Sequence, residues 1–384
     1  MPTAIRYLKI SNYRSIDELE LHDIPAFAVF AGANGSGKSN FFNALDFASL
    51  TARFGDKEAL RQHGGEGGVH YAGSNRPTLE SPSFSFKMLP VHNQRLIVGL
   101  GATEKEQKQF ISQYLGLKGE STDEDLVKFC TRVSEDLDRL PQLTEKKIND
   151  LDKLLWNNMI KMNHIMLTQI KEKIVLNFFA GIKLYRIEPR SVKESNMSIH
   201  DDSELQRYGQ NLAAVLRRLE KNDEVREIII DWLQLIVPQL EIVQTETERL
   251  SGSAQLAFKE TGTDKLFPAH LISDGTIYLL CLLVAMLDRP KMGITLIEEP
   301  ERGLHPKAIM ELVKGFREHA TIESPIWLTT HSESVVRMLK DNELWLVDKK
   351  DGKTQINPVR NIENLQLNLD EAWLSNALNG GLPW

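Results

Sequence analysis

The 384-residue sequence predicts an α/β fold that carries a phosphate-binding loop and is interrupted by a helical insertion. Three observations carry that expectation. "GANGSGKS", Gly32 to Ser39, fits G-x-x-x-x-G-K-[ST] between an apolar strand and an amphipathic helix. The second half of the chain alternates strand-like and helix-like stretches, the pattern of an α/β domain. From about residue 103 to 180 the texture changes to long helices, poor in Gly and rich in Glu, Lys and Gln.

Taken in order, "AIRYLKISNYRSIDELEL" (4–21) alternates as strands, with a polar break at Ser11-Asn12. Residues 26–50 read as buried strand, glycine-rich turn and helix, and 61–75 as a loop dense in Gly and Asn. Strands are expected within 79–101. Leu151, Leu154, Leu155, Met162, Ile165, Met166 and Ile170 keep helical spacing, and the Met and His residues around them read as packing. Strand and turn return at 183–192, with helices at 208–221 and 223–237, the latter stopping before Pro238. There follow strands within 239–259, a helix at 274–288, a strand at 293–298 and a helix at 306–319. A strand ending at His331 and a hairpin over 344–359 close the series. This divides the chain into an N-terminal lobe (1–102), an insertion (103–180), a C-terminal lobe (181–350) and a tail (351–384).

Composition excludes several classes. Hydrophobic residues make up 41% and charged residues 26%, as in ordinary globular proteins. Two isolated cysteines, Cys130 and Cys281, make neither a disulfide scaffold nor a zinc finger and suit a reducing cytoplasm. The first twenty residues mix charges with apolar positions, unlike a signal peptide. The run "IYLLCLLVAML" (277–287) is too short to span a bilayer and reads as a buried helix, so no membrane partner is expected. A net charge of −7 argues against coating nucleic acid non-specifically. Residues 146–193, however, hold ten Lys/Arg against four Asp/Glu, a candidate contact for DNA or another partner.

The chemistry concentrates at two places. The glycines of 32–39 let backbone N–H groups turn toward phosphate oxygens, aided by the dipole of the following helix. Lys38 would reach the β/γ-phosphates, and the Ser39 hydroxyl would ligate Mg²⁺. Far downstream, "ITLIEEPERGLHP" (294–306) ends an apolar run in Glu298 and Glu299, where unpaired carboxylates would be costly. In phosphate-loop enzymes a strand beside the loop ends in an acid of the Mg²⁺ shell. Glu298 takes that part, and Glu299 can polarise the attacking water. Ser273 N-caps an apolar helix with Gly275 in its first turn. His331 ends the strand "WLTTH", suited to a γ-phosphate or the attacking water.

"IxNYRS", "GANGSGKSN", "P-R" near 189–190, "GQNLAAVL", "SDGT", "IEEPERGLHP" and "TTHS" occur in one order. In that order they resemble the SMC/RecF-like ABC-type ATPases, and within them the compact bacterial AAA-type family related to the OLD-like ATPases. The resemblance covers residues 4–50 and 183–348. It implies a P-loop NTPase fold of ABC/SMC head type, using ATP and Mg²⁺. It implies nucleotide contacts from Arg14, Ser15, Asn34, Gly35, Ser36, Gly37, Lys38, Ser39 and Asn40. The signature, Ser273, Asp274, Gly275 and Thr276, would bind the γ-phosphate held by a facing subunit, so a homodimer or higher oligomer is implied. Gln62 is the candidate for the glutamine loop that touches the metal. Asp274 stands where transporter signatures carry glycine, and Glu298 replaces the usual Asp. Both departures are typical of the SMC/RecF-like side.

Members of such families serve in genome maintenance or defence, commonly beside a separately encoded nuclease, which is the partner expected here. The alternative is the ATP-binding subunit of a transport system, which predicts a signature nearer S-G-G-Q and no insertion. A self-contained nuclease would need a further domain, but only 53 residues follow His331 and they hold no D-x-D. A small-molecule kinase would not need "SDGT" or "TTHS".

Overall fold

The computed structural model describes residues 3–69, 71, 83–88, 96–99, 177–195, 197–248, 252–360 and 367–381. All of these but residue 177 belong to one unit, residues 1–100 together with 178–384, into which 101–177 are inserted. Of the insertion expected over 103–180, all but the last four residues lie outside the described residues, as do Lys161, Lys171 and Lys173 of the basic stretch.

Strands β1 (Thr3–Tyr13) and β2 (Ile16–Pro25) pair antiparallel. The turn between them falls at Arg14-Ser15, not at Ser11-Asn12 as polarity suggested. Asn12 and Arg14 both have positive φ, 61° and 50°, and Asn12 is accommodated inside β1. β1 also pairs with β4 (Ser83–Met88), which pairs with β5 (Leu96–Gly99), giving the order β2-β1-β4-β5.

The central sheet has the order β13-β12-β3-β11-β10-β6. Its members are β3 (Phe27–Ala31), β6 (Lys183–Tyr185), β10 (Thr295–Glu298), β11 (Ile326–Thr330), β12 (Leu344–Lys350) and β13 (Lys353–Pro358). All neighbours run parallel except the hairpin pair β12–β13. β3, β10 and β11 are buried along their whole length, which explains their continuous apolar runs. A third, antiparallel sheet joins β7 (Leu240–Thr247), β8 (Ala254–Glu260) and β9 (Leu266–Pro268).

Helices α1 (Lys38–Phe54), α2 (Asp56–Gln62) and α3 (Glu66–Val69) follow β3, so the expected loop over 61–75 contains a helical turn. Phe41 and Phe42 of α1 pack on Phe30 of β3, with ring centroids 4.8 and 5.9 Å apart, and Phe41 stacks on Trp327 of β11. Helix α4 (Pro189–Lys193) replaces the turn expected after β6. Helices α5 (Leu212–Leu219) and α6 (Asp223–Ile236) precede β7. Helix α7 (Asp274–Leu287) is buried at every position from Thr276 to Met286, as its unbroken apolar run requires. Helix α8 (Pro306–His319) turns one face to the core, and α9 (Glu333–Val336) follows β11.

Residues after 350 are not a loose tail. β13 completes the hairpin at the sheet edge, and Trp373 of helix α10 (Leu369–Leu374) is fully buried, its indole N–H donating to the Gly381 carbonyl at 2.5 Å.

Candidate active site

The sheet order brings the chemistry to one edge. Register pairs Thr330 with Ala31 and Glu298 with Thr329, so the loop at 32–37, Glu298 and His331 all follow the carboxyl ends of parallel strands. β11 lies between β3 and β10, so the strand beside the phosphate loop is the one ending in His331. The acid-bearing strand is one place further out. The sequence predicts the acid-bearing strand directly beside the loop, because sequence order says nothing of a strand interposed from downstream.

Gly35 and Gly37 take positive φ, 80° and 108°, in the loop that lifts the chain from β3 into α1. A Cβ on Gly37 would lie 2.0 Å from the Thr354 hydroxyl oxygen, so the hairpin β12–β13 closes directly on the loop. Lys38 is buried and its ammonium donates to the carbonyls of Gly32 and Ala33, each at 2.7 Å. Burial lowers its pKa, while the charges of Glu299, Glu301 and Glu298 act in the opposite sense. The buried Ser36 hydroxyl has no hydrogen-bond partner among the described residues. Asn34, Gly35 and Ser39 lie at the surface. A polyanion suits this arrangement: a caged cation, an orphan hydroxyl and a helix N-terminus converge on it.

Arg14, Ser15 and Asn40 sit behind the loop rather than open to it. The Asn40 amide donates to the Ser15 hydroxyl at 2.6 Å, and that hydroxyl lies 2.6 Å from the Thr354 hydroxyl. Arg14 donates to the Gly68 carbonyl at 2.8 Å, tying the β1–β2 turn to α3. Gln62 is exposed on α2 and its amide donates to Glu58 at 2.7 Å; among the described residues no hydrogen bond joins it to the loop.

The two adjacent glutamates face different partners. Glu298, 8% exposed, receives a bidentate pair from Arg186 at 2.6 and 2.8 Å, which compensates its burial. Glu299 has φ 48°, a strained conformation for a non-glycine residue. Its carboxylate lies 3.3 Å from the His331 Nδ1. A third acid, Glu301, is also buried. It accepts from the Thr330 hydroxyl at 2.6 Å and from the His331 N–H at 3.4 Å, while its second oxygen has no partner among the described residues. Burial raises the Glu301 pKa, opposed by the Thr330 bond. The Tyr278 hydroxyl donates to the Glu299 carbonyl at 2.7 Å.

A family model described as "AAA domain, putative AbiEii toxin, Type IV TA system" matches residues 27–155 and 166–337. The chain belongs to this AAA_21 family. A 60-residue segment of the AAA_21 chain, 15% of its length, is 40% identical to the DNA replication and repair protein RecF of Corynebacterium jeikeium (strain K411), covering 14% of that protein. Together the family match and the RecF segment bear out the resemblance to SMC/RecF-like ABC-type ATPases. Two solved structures are similar over most of their length. An Smc head bound to the C-winged helix domain of ScpA is 16% identical, covering 96% of this chain and 99% of that one at a TM-score of 0.49. The SMC head domain from Thermotoga maritima is 14% identical, covering 93% and 99% at 0.43.

Elsewhere in the AAA_21 chain, Ser273 caps α7 as expected, its hydroxyl accepting from the Thr276 N–H at 3.1 Å. Ser273 and Asp274 are exposed, and Thr276 is buried. Lys193 of α4 braces this turn, donating to the Ile272 carbonyl at 2.6 Å and to Asp274 at 2.5 Å. A Cβ on Gly275 would stand 3.1 Å from the Gly303 carbonyl, so α7 starts hard against the loop after the glutamates.

Sequence reasoning missed Arg186, Glu301, Tyr278 and Thr354. Two had legible signals: Glu301 lies in the same E-E-P-E run, and Tyr278 is the single hydroxyl in an apolar run, where a buried O–H needs a partner. Arg186 and Thr354 had none.

Proposed function

We propose that this chain is an ATP hydrolase of ABC type that works as a face-to-face dimer and governs an effector acting on DNA or in defence, a separately encoded nuclease being the expected partner. The observation that carries hydrolysis is the aim of the Glu299 carboxylate, which meets His331 at the strand end beside the phosphate loop. Lys38 and the loop N–H groups bind the β/γ-phosphates. Glu299 polarises a water for attack, and His331 orients that water or the γ-phosphate. Ser39 would hold Mg²⁺, whose charge supports the phosphates when bound, and Glu298 would join it on releasing one carboxylate oxygen from the Arg186 pair that occupies both. The exposed Ser273 hydroxyl at the start of α7 suits a phosphate presented by a second copy, which supports the dimer.

Complementation tests the shared site. Lys38→Ala and Ser273→Arg are each expected to be inactive in hydrolysis. Mixed with free exchange, half the dimers regain one of two sites, so activity should return to about a quarter of wild type. Full activity of Ser273→Arg alone would show that the signature serves no hydrolytic site.

A further inference from the structure

Tyr278 is 2% exposed, so its hydroxyl needs an internal partner; it donates to the Glu299 carbonyl at 2.7 Å, with the Glu298 carbonyl a longer second acceptor at 3.5 Å. Glu299 keeps its positive φ of 48° only because its surroundings over-determine it. The Glu299 N–H donates to the Thr329 carbonyl at 3.0 Å, and the Arg302 N–H donates to the Glu299 carbonyl at 3.1 Å. The Tyr278 hydroxyl is the third restraint. It alone comes from α7, the helix capped by Ser273, five residues upstream. The close approach of Gly275 to the Gly303 carbonyl ties the same helix start to the far side of the same loop.

We propose that Tyr278 is a positioning residue whose hydroxyl holds the strained Glu299 peptide and thereby couples the aim of the Glu299 carboxylate to the placement of α7. The inference rests on the reading of Glu299 as the group that polarises water. A displacement of the helix start, where Ser273 and Asp274 are exposed, moves the anchor of Glu299. Engagement of the signature is thus read directly at the hydrolytic carboxylate of the same chain.

The test uses the full-length chain with Tyr278→Phe, which removes one oxygen and keeps the ring. ATP turnover is normalised to the nucleotide-binding molecules counted with a fluorescent ATP analogue. The expected result is a fall in kcat of about tenfold, the worth of one buried hydrogen bond, with KM for ATP within about twofold of wild type. In a Glu299→Gln background the same substitution should slow the residual rate no further, because the group it positions is gone. Should Tyr278→Phe not fold, Tyr278→Gln and Tyr278→Met, alike in size but only one carrying a donor, replace it, and Gln should be the faster. Wild-type kcat in Tyr278→Phe, an equal loss in both backgrounds, or equal rates for Gln and Met would overturn the inference. Slow turnover by Glu299→Gln beside unimpaired Tyr278→Phe refutes only the coupling. Wild-type turnover by Glu299→Gln refutes the reading of the base, and the coupling with it.

Discussion

At the scale of single residues, the site combines three buried ionisable groups, Lys38, Glu298 and Glu301, with the more exposed pair Glu299 and His331, each held by a different device. Lys38 is caged by loop carbonyls and faced by three carboxylates, so the protein itself positions its ammonium. Lys38→Ala should abolish nucleotide affinity in a fluorescent-ATP titration while leaving the fold intact. Glu299→Gln should still bind ATP but hydrolyse it about 10²–10⁴-fold more slowly. If steady-state turnover were unchanged, the role of base would pass to another group. Glu301 offers a pH test. Its pKa is raised by burial, so the proton favours the folded chain. That stability is present below the ordinary carboxylate pKa and is lost as pH rises through the raised value. Glu301→Gln keeps an acceptor for Thr330 and carries no charge. Its melting temperature should match wild type near about pH 4 and exceed it increasingly toward neutrality. A pH-independent difference between the two melting curves would contradict this.

At the scale of elements, the phosphate loop is braced from behind by the β12–β13 hairpin. The Thr354 hydroxyl fills the place of a Gly37 side chain, bonds to Ser15, and its backbone N–H donates to the Ser15 carbonyl at 2.8 Å. Gly37→Ala therefore meets both a positive φ and a filled space, costing at least about 1–3 kcal/mol. Nucleotide binding should fail and the melting temperature fall. Adding Thr354→Ala removes the overlap but not the backbone strain, so it should restore only part of the lost stability. Full restoration would mean that φ strain is absent. The helix-spanning strand–turn–helix pattern made the loop legible in sequence, because its glycines and its period are local. Nothing local marked Thr354, more than three hundred residues downstream.

At the scale of the whole molecule, charge counting and charge placement part company. Four of the ten cations in 146–193 are described, and each is engaged: Lys183 with Glu204, Arg186 with Glu298, Arg190 with Glu194 and Lys193 with Asp274. Three of these pairs join different parts of the fold, and only Arg190–Glu194 is a local helix pair. The surplus left for a partner thus lies in 146–173, outside the described residues. Reversing Lys161, Lys171 and Lys173 to Glu should leave basal ATPase unchanged while weakening any DNA-stimulated rate and its salt dependence. DNA stimulation indifferent to both salt and these substitutions would remove the insertion from consideration. No described helix is long and apolar enough to cross a membrane.

By itself, the sequence determined the features set by short-range rules. Those are the phosphate loop with its caging lysine, the serine cap of α7, the burial of 277–287 and the order of strands and helices. Each follows from backbone freedom, capping or periodicity within a few turns of chain. Tertiary structure decided which of these meet. It placed β11 between the loop and the acid strand, so that His331 neighbours the loop and faces Glu299. It gave Glu298 to Arg186, and it tied helix α7 to Glu299 through Tyr278. The reason is physical: a buried polar group takes whichever partner the packing brings within about 3 Å, and that packing is a property of the whole sheet.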